Sequence, residues 1–200
     1  LKIEENVYAL ESTKGSYAYL VEDKETILID TGRPGKVKNI LKEIESLNIK
    51  PENLKHILLT HHDVDRIGNA ALLQKETGAT LWASKEDIPY ILGDKGRPGV
   101  KKLGSLFMRF MRVKTPEKIK SYNDHNIDDI EIIPTPGHTP GHVSFLYKDI
   151  LFAGDLVRNS NGVLKKPPAI TNADEESIKE SILKMSNILL NGFAQIMENL

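Results

Sequence analysis

The chain has 200 residues, 27 Lys and Arg against 28 Asp and Glu, a formal net charge of -1 and no cysteine. That balance argues against a nucleic-acid or anionic-membrane surface as its main business, and the lack of cysteine removes disulfides and thiolate metal sites. Apolar runs too short to span a bilayer, with no charged and apolar leader, give the expectation of one cytoplasmic domain over residues 1–200, a monomer or homodimer acting on a small molecule with no nucleic-acid or membrane partner.

Val7–Leu10, Tyr17–Val21 and Thr26–Ile29 are short β-prone runs separated by turn-formers, and they predict a meander of three antiparallel strands. Pro34 opens a helix with Val37, Ile40, Leu41, Ile44 and Leu47 at helical spacing. His56–Leu59 is the next strand, Ile67–Thr77 a helix stopped by Gly78, and Thr80–Ala83 a further strand. Residues 84–126 break this rhythm with Gly93, Gly96, Pro98, Gly99 and Pro116. Within them, Leu103–Val113 mixes Phe107, Met108, Phe110 and Met111 with Arg109 and Arg112. Such an excursion suits a substrate-covering insertion, or equally an ordinary surface helix with one buried stripe. Strands resume at Ile130–Ile133, Val143–Leu146 and Ile150–Ala153. A helix over Asp174–Met185 then leads to a short apolar strand at Ile188–Leu190. Two sheets packed face to face with helices outside satisfy this order.

Three clusters carry chemistry. Thr60-His61-His62-Asp63-Val64-Asp65-Arg66 follows a buried strand, at the end of which ligands bind in α/β sheets. Thr135-Pro-Gly-His138-Thr-Pro-Gly-His142 and Ala153-Gly154-Asp155 recur downstream in the same context. Without cysteine, a metal among them takes imidazole and carboxylate donors.

These residues resemble the metallo-β-lactamase superfamily, over nearly the whole chain and in five collinear landmarks. They are Leu28-Ile29-Asp30-Thr31-Gly32, the Thr60-His61 cluster, Pro136–His142, Ala153-Gly154-Asp155 and the closing Ile188–Phe193. The resemblance implies an α/β (α+β) four-layer αβ/βα sandwich, two mixed β-sheets face to face with helices outside. The family signature His-x-His-x-Asp-His becomes His61-His62-Asp63-Val64-Asp65-Arg66. Asp63 thus stands where the second histidine is expected, Arg66 where the third is, and Phe193 in the last histidine's place.

The implied metal ligands are His61, Asp63, His138 and Asp155. Of the second metal's ligands only Asp65 survives, since guanidinium has no lone pair to offer. One divalent ion per chain, zinc foremost and iron or manganese as alternatives, balances Asp63, Asp65 and Asp155 if Arg66 points inward. Arg66 then stands in for the lost ion; otherwise it faces solvent and the second position is empty. The implied function is metal-assisted hydrolysis of a small-molecule ester, thioester, lactone or phosphodiester bond. Asp65 is the expected proton acceptor, and Arg66 the group that stabilises an oxyanion or orients a substrate carboxylate. Two alternatives stay open. One is a non-haem iron oxygenase of persulfide-dioxygenase type on His61, His138 and Asp155; the other is a retired scaffold that only binds. His62 is expected at the rim or behind the ligands, and His142 packed near His138. His56 and His125 read as ordinary surface residues, Asp30 as a support beneath the site or a turn residue, and Trp82 as core.

Overall fold

The computed structural model describes residues 1–96, 113–122, 127–190 and 195–197. A seven-stranded sheet runs in the order β1 (Lys2–Glu4), β2 (Val7–Ala9), β3 (Tyr19–Glu22), β4 (Thr26–Ile29), β5 (Leu54–Leu58), β6 (Thr80–Ala83), β7 (Lys120–Ser121). The first four strands are antiparallel; β4 through β7 are parallel. The expected meander therefore has a fourth, exposed strand at its edge. A four-stranded sheet is ordered β13 (Gln195–Met197), β10 (Ile150–Phe152), β9 (Val143–Tyr147), β8 (Glu131–Pro134). Helices α1 (Val37–Ser46), α2 (Val64–Ile67), α3 (Ala70–Thr77) and α4 (Ile88–Leu92) belong to the first half of the chain, and α5 (Glu175–Leu190) to the second.

Burial on both faces explains the continuous apolar runs. In β3 and β4, Tyr19, Val21, Ile27 and Ile29 point between the sheets and meet Phe145, Tyr147 and Phe152. Their neighbours Leu20 and Leu28 point the other way, toward Ile40 and Ile44 of α1 and Leu73 of α3. Strands covered on both sides lose polar alternation and become wholly apolar. Ile133 and Leu151 of the smaller sheet pack on Ile178 and Met185 of α5. The layers are thus helix, sheet, sheet, helix, as the resemblance implied.

Two expectations are corrected, and one element is added. Ile188–Leu190 continue α5, because Ile178, Ile182, Met185 and Ile188 keep one helical face apolar; the strand beyond is Gln195–Met197, parallel to β10. The helix expected over Ile67–Thr77 is two pieces broken at Gly68-Asn69. A Cβ at Gly68 would stand 2.5 Å from Pro34 N and 2.6 Å from Gly32 O. Asn69 Nδ2 donates to the carbonyls of Thr31 (2.6 Å) and Arg33 (2.8 Å), so the break presses the 31–36 loop against the site. Finally, β11 (Arg158–Ser160) and β12 (Val163–Lys165) form a hairpin that was not expected. Most of the Leu103–Val113 segment, with His125 and Phe193, lies outside the described residues.

Candidate metal centre

The donors arrive from both sheets at one end of the sandwich. His61 follows β5, and Asp63 is the N-cap residue of α2. His138 sits in the turn between β8 and β9, and Asp155 in the turn after β10. Val143 N donates to Thr60 O at 2.9 Å and joins the halves beside the site. Ligand atoms of His61, Asp63, His138 and Asp155 all lie within 4.8 Å of one another.

Partners behind the rings fix their tautomers. Thr60 Oγ1 donates to Asp30 Oδ2 at 2.8 Å, so it accepts from His61 Nδ1–H at 2.9 Å. Asn172 donates through Nδ2 to Glu175 Oε1 at 2.6 Å, which turns its Oδ1 to accept His138 Nδ1–H at 3.1 Å. Each Nε2 lone pair therefore faces the carboxylates. His61 Nε2 is 3.7 Å from Asp63 Oδ2 and 3.6 Å from Asp155 Oδ2; His138 Nε2 is 3.1 and 3.4 Å from the same atoms. A tetrahedral ion with bonds of about 2.0–2.1 Å needs donors roughly 3.3–3.4 Å apart. Two imidazoles and two carboxylates gathered this closely offer nitrogen and oxygen donors that fit one divalent ion.

Arg66 is 2% exposed and turned inward. Its Nη2 donates to Asp155 Oδ1, and its Nε lies 3.8 Å from Asp30 Oδ2. Burial by itself would weaken its hold on the proton, but Asp155, Asp65 and Asp30 more than offset that, so it stays charged. The solvent-facing alternative is not the one observed: the side chain is buried against Asp155 and Asp30. Asp30 lies beneath, in a left-handed backbone conformation (φ 57°), accepting Thr60 N and Oγ1 at 2.8 Å each. Burial pushes its carboxyl up to about 6 despite Arg66. Asp155 is also desolvated, yet Arg66 and then His138 hold it below the usual carboxylate range.

Asp65 is half-buried and outside the four-donor group; its Oδ2 accepts Ser16 Oγ at 2.8 Å. His142 supports Asp155: its Nε2 accepts Asp155 N at 3.1 Å, while Nδ1 faces Thr135 Oγ1 at 2.9 Å. Burial, then His138, depress it to about 3, so it stays neutral. Gly154 leaves it room, since a Cβ there would lie 2.7 Å from His142 Nε2. His62 is not at a rim. It is buried, stacked on Tyr90 at 4.6 Å, with Nδ1 2.9 Å from Asp87 Oδ2. His56 bonds Glu25 and receives Trp82 Nε1–H at 3.0 Å, which keeps Trp82 in the core. Sequence reasoning missed Ser16, Asp87 and Asn172.

The sequence profile described as the Metallo-beta-lactamase superfamily matches residues 13–188. The chain belongs to that superfamily. A probable metallo-hydrolase of Methanocaldococcus jannaschii is 29% identical over 165 residues, which cover 82% of this chain and 68% of that protein. A hydroxyacylglutathione hydrolase of Haemophilus influenzae is 28% identical over 158 residues, 68% of this chain and 63% of that one. Among solved structures, the subclass B3 metallo-beta-lactamase BJP-1 of Bradyrhizobium japonicum superposes with a TM-score of 0.69 at 25% identity, over 92% of this chain and 72% of that one. Among the described residues no helix is long and apolar enough to cross a membrane.

Proposed function

We propose that this superfamily member hydrolyses a small-molecule ester, thioester, lactone or phosphodiester bond at a centre holding one divalent cation, zinc foremost. The observation that carries the reading is the convergence of ligand atoms of His61, His138, Asp63 and Asp155 within 4.8 Å of one another, with His–Asp separations of 3.1–3.7 Å. A divalent cation held by these side chains would draw the acidity of a bound water toward neutrality, provided its coordination leaves a position open for that water beside the protein donors. Arg66 fills the electrostatic role of a second cation: it neutralises Asp155, which the superfamily's signature uses between two metals, and offers no donor for another ion. Asp65, in the first turn of α2 and bonded to Ser16, is the carboxylate that takes the proton from the attacking water and returns it to the leaving group. Asp63 adds a fourth protein donor, which departs from the two-histidine, one-carboxylate set with open positions that iron–oxygen chemistry uses.

The name of the Haemophilus influenzae relative puts hydroxyacyl thioesters of glutathione first among substrates to try. The test is elemental analysis of purified protein combined with an esterase, thioesterase, lactonase and phosphodiesterase screen. The expected result is about one zinc per chain and chelator-sensitive turnover, with both lost in His138→Ala. Two ions per chain, or undiminished metal in His138→Ala, would overturn the assignment.

A further inference from the structure

Asp87 belongs to neither ligand loop, yet it touches both. It sits just before α4, is 1% exposed, and its own N–H donates to Ser84 O at 3.1 Å. From the first ligand loop its Oδ2 accepts the backbone N–H of His62 at 2.9 Å, the residue between His61 and Asp63. From the second loop, Oδ2 accepts Thr139 Oγ1–H at 2.8 Å and Oδ1 accepts Gly141 N–H at 2.9 Å, just beyond His138. The His62 ring closes the arrangement, with Nδ1 2.9 Å from Asp87 Oδ2 and one face on Tyr90 of α4. Gly141 lies so close that a Cβ there would meet Ser84 Oγ at 2.1 Å and Asp87 Oδ1 at 2.8 Å.

We propose that Asp87 is the positioning residue of the metal centre, a buried carboxylate that sets the separation of the His61–Asp63 and His138 loops by bonding to both. The inference rests on the metal-binding reading above. Its physical basis is that donors on separate loops must be held within a few tenths of an ångström to bond one ion. Beside the backbone bond from Val143 N to Thr60 O, a side-chain connection between the two ligand loops holds their spacing. Asp87 supplies that connection without being a donor, and partners behind a metal site characteristically set affinity in this way.

The experiment measures zinc affinity by chelator competition, and the visible spectrum of the cobalt-substituted protein, for wild type, Asp87→Asn, Thr139→Val and the double variant. Asp87→Asn keeps shape but replaces one acceptor oxygen with a donor; Thr139→Val removes one bond to the clamp without altering a ligand. Asp87→Asn should weaken zinc about 10–100-fold and shift the cobalt spectrum, while metal-free protein keeps its fold by circular dichroism. Thr139→Val should weaken zinc less, and add little in the Asp87→Asn background. Wild-type affinity and spectrum in Asp87→Asn, or fully additive effects, would refute positioning through Asp87. If Asp87→Asn does not fold, Thr139→Val alone decides: unchanged affinity refutes the proposal. Wild-type protein that binds no zinc would instead sink the metal-binding reading itself.

Discussion

Replacing Arg66 with methionine isolates the guanidinium, because length and an apolar stem are kept while the charge goes. The arginine side chain is 3% exposed, bonded to Asp155 and 3.8 Å from Asp30, so its removal takes from both carboxylates the buried guanidinium that faces them. Breaking a buried ion pair from one side costs about 3–5 kcal/mol. In a chain of this length each kcal/mol lowers the melting temperature by about 2–4 °C, so chelator-treated Arg66→Met should melt roughly 6–20 °C below wild type at pH 8. The deficit should shrink at pH 5, and two carboxylates fix that sign. Asp155 is held low by Arg66 against the pull of burial; its stabilisation is present above its unfolded value and lost as pH falls through its folded one. Asp30 is the reverse case. Burial raises it to about 6, so the folded chain takes up a proton there below that pH and stability declines as pH climbs through the window. Without Arg66 that window moves upward, and acid relieves more of the strain in the variant than in wild type. Thermal melts of both proteins at pH 5 and pH 8 measure it. Equal deficits at the two pH values, or none at pH 8, would refute this account of Arg66.

Asn172→Ala should free the His138 ring from its fixed tautomer and weaken zinc about 10–100-fold, measured by chelator competition; unchanged affinity would mean that the Asn172–His138 bond orients nothing. Asp65→Asn should leave zinc content near wild type and remove most turnover, and parallel loss of metal and activity would make Asp65 a ligand instead of a proton acceptor.

The gathering of His61, Asp63, His138 and Asp155 was legible through the family resemblance, whose landmarks are local patterns: a buried strand, a Pro-Gly turn, a Gly-Asp step. The residues that orient them were not, since their partners are distant in sequence. Asp87 lies in a polar stretch, 25 residues from His62 and 52 from Thr139. Asn172 reaches His138 across 34 residues. The inward turn of Arg66 was one of two arrangements its position allowed, and only Asp30 and Asp155 drawn together beneath it decide between them. Two misreadings have local causes. Ile188–Leu190 is three apolar residues, too short for periodicity to separate strand from helix end. Asn161-Gly162 is a strong hairpin signal, with φ of 57° and 78°, but the strands it joins are mostly exposed and lack the alternation that would have marked them.

His61 and Asp63 come from the half of the chain that builds the larger sheet, His138 and Asp155 from the half that builds the smaller one. Each half alone owns two donors, too few to grip a cation against water. An ion bound here is therefore a rivet across the seam, and its affinity is tied to how firmly the halves dock. Cation binding and assembly become one property: whatever loosens that seam would weaken the proposed centre, even from far away.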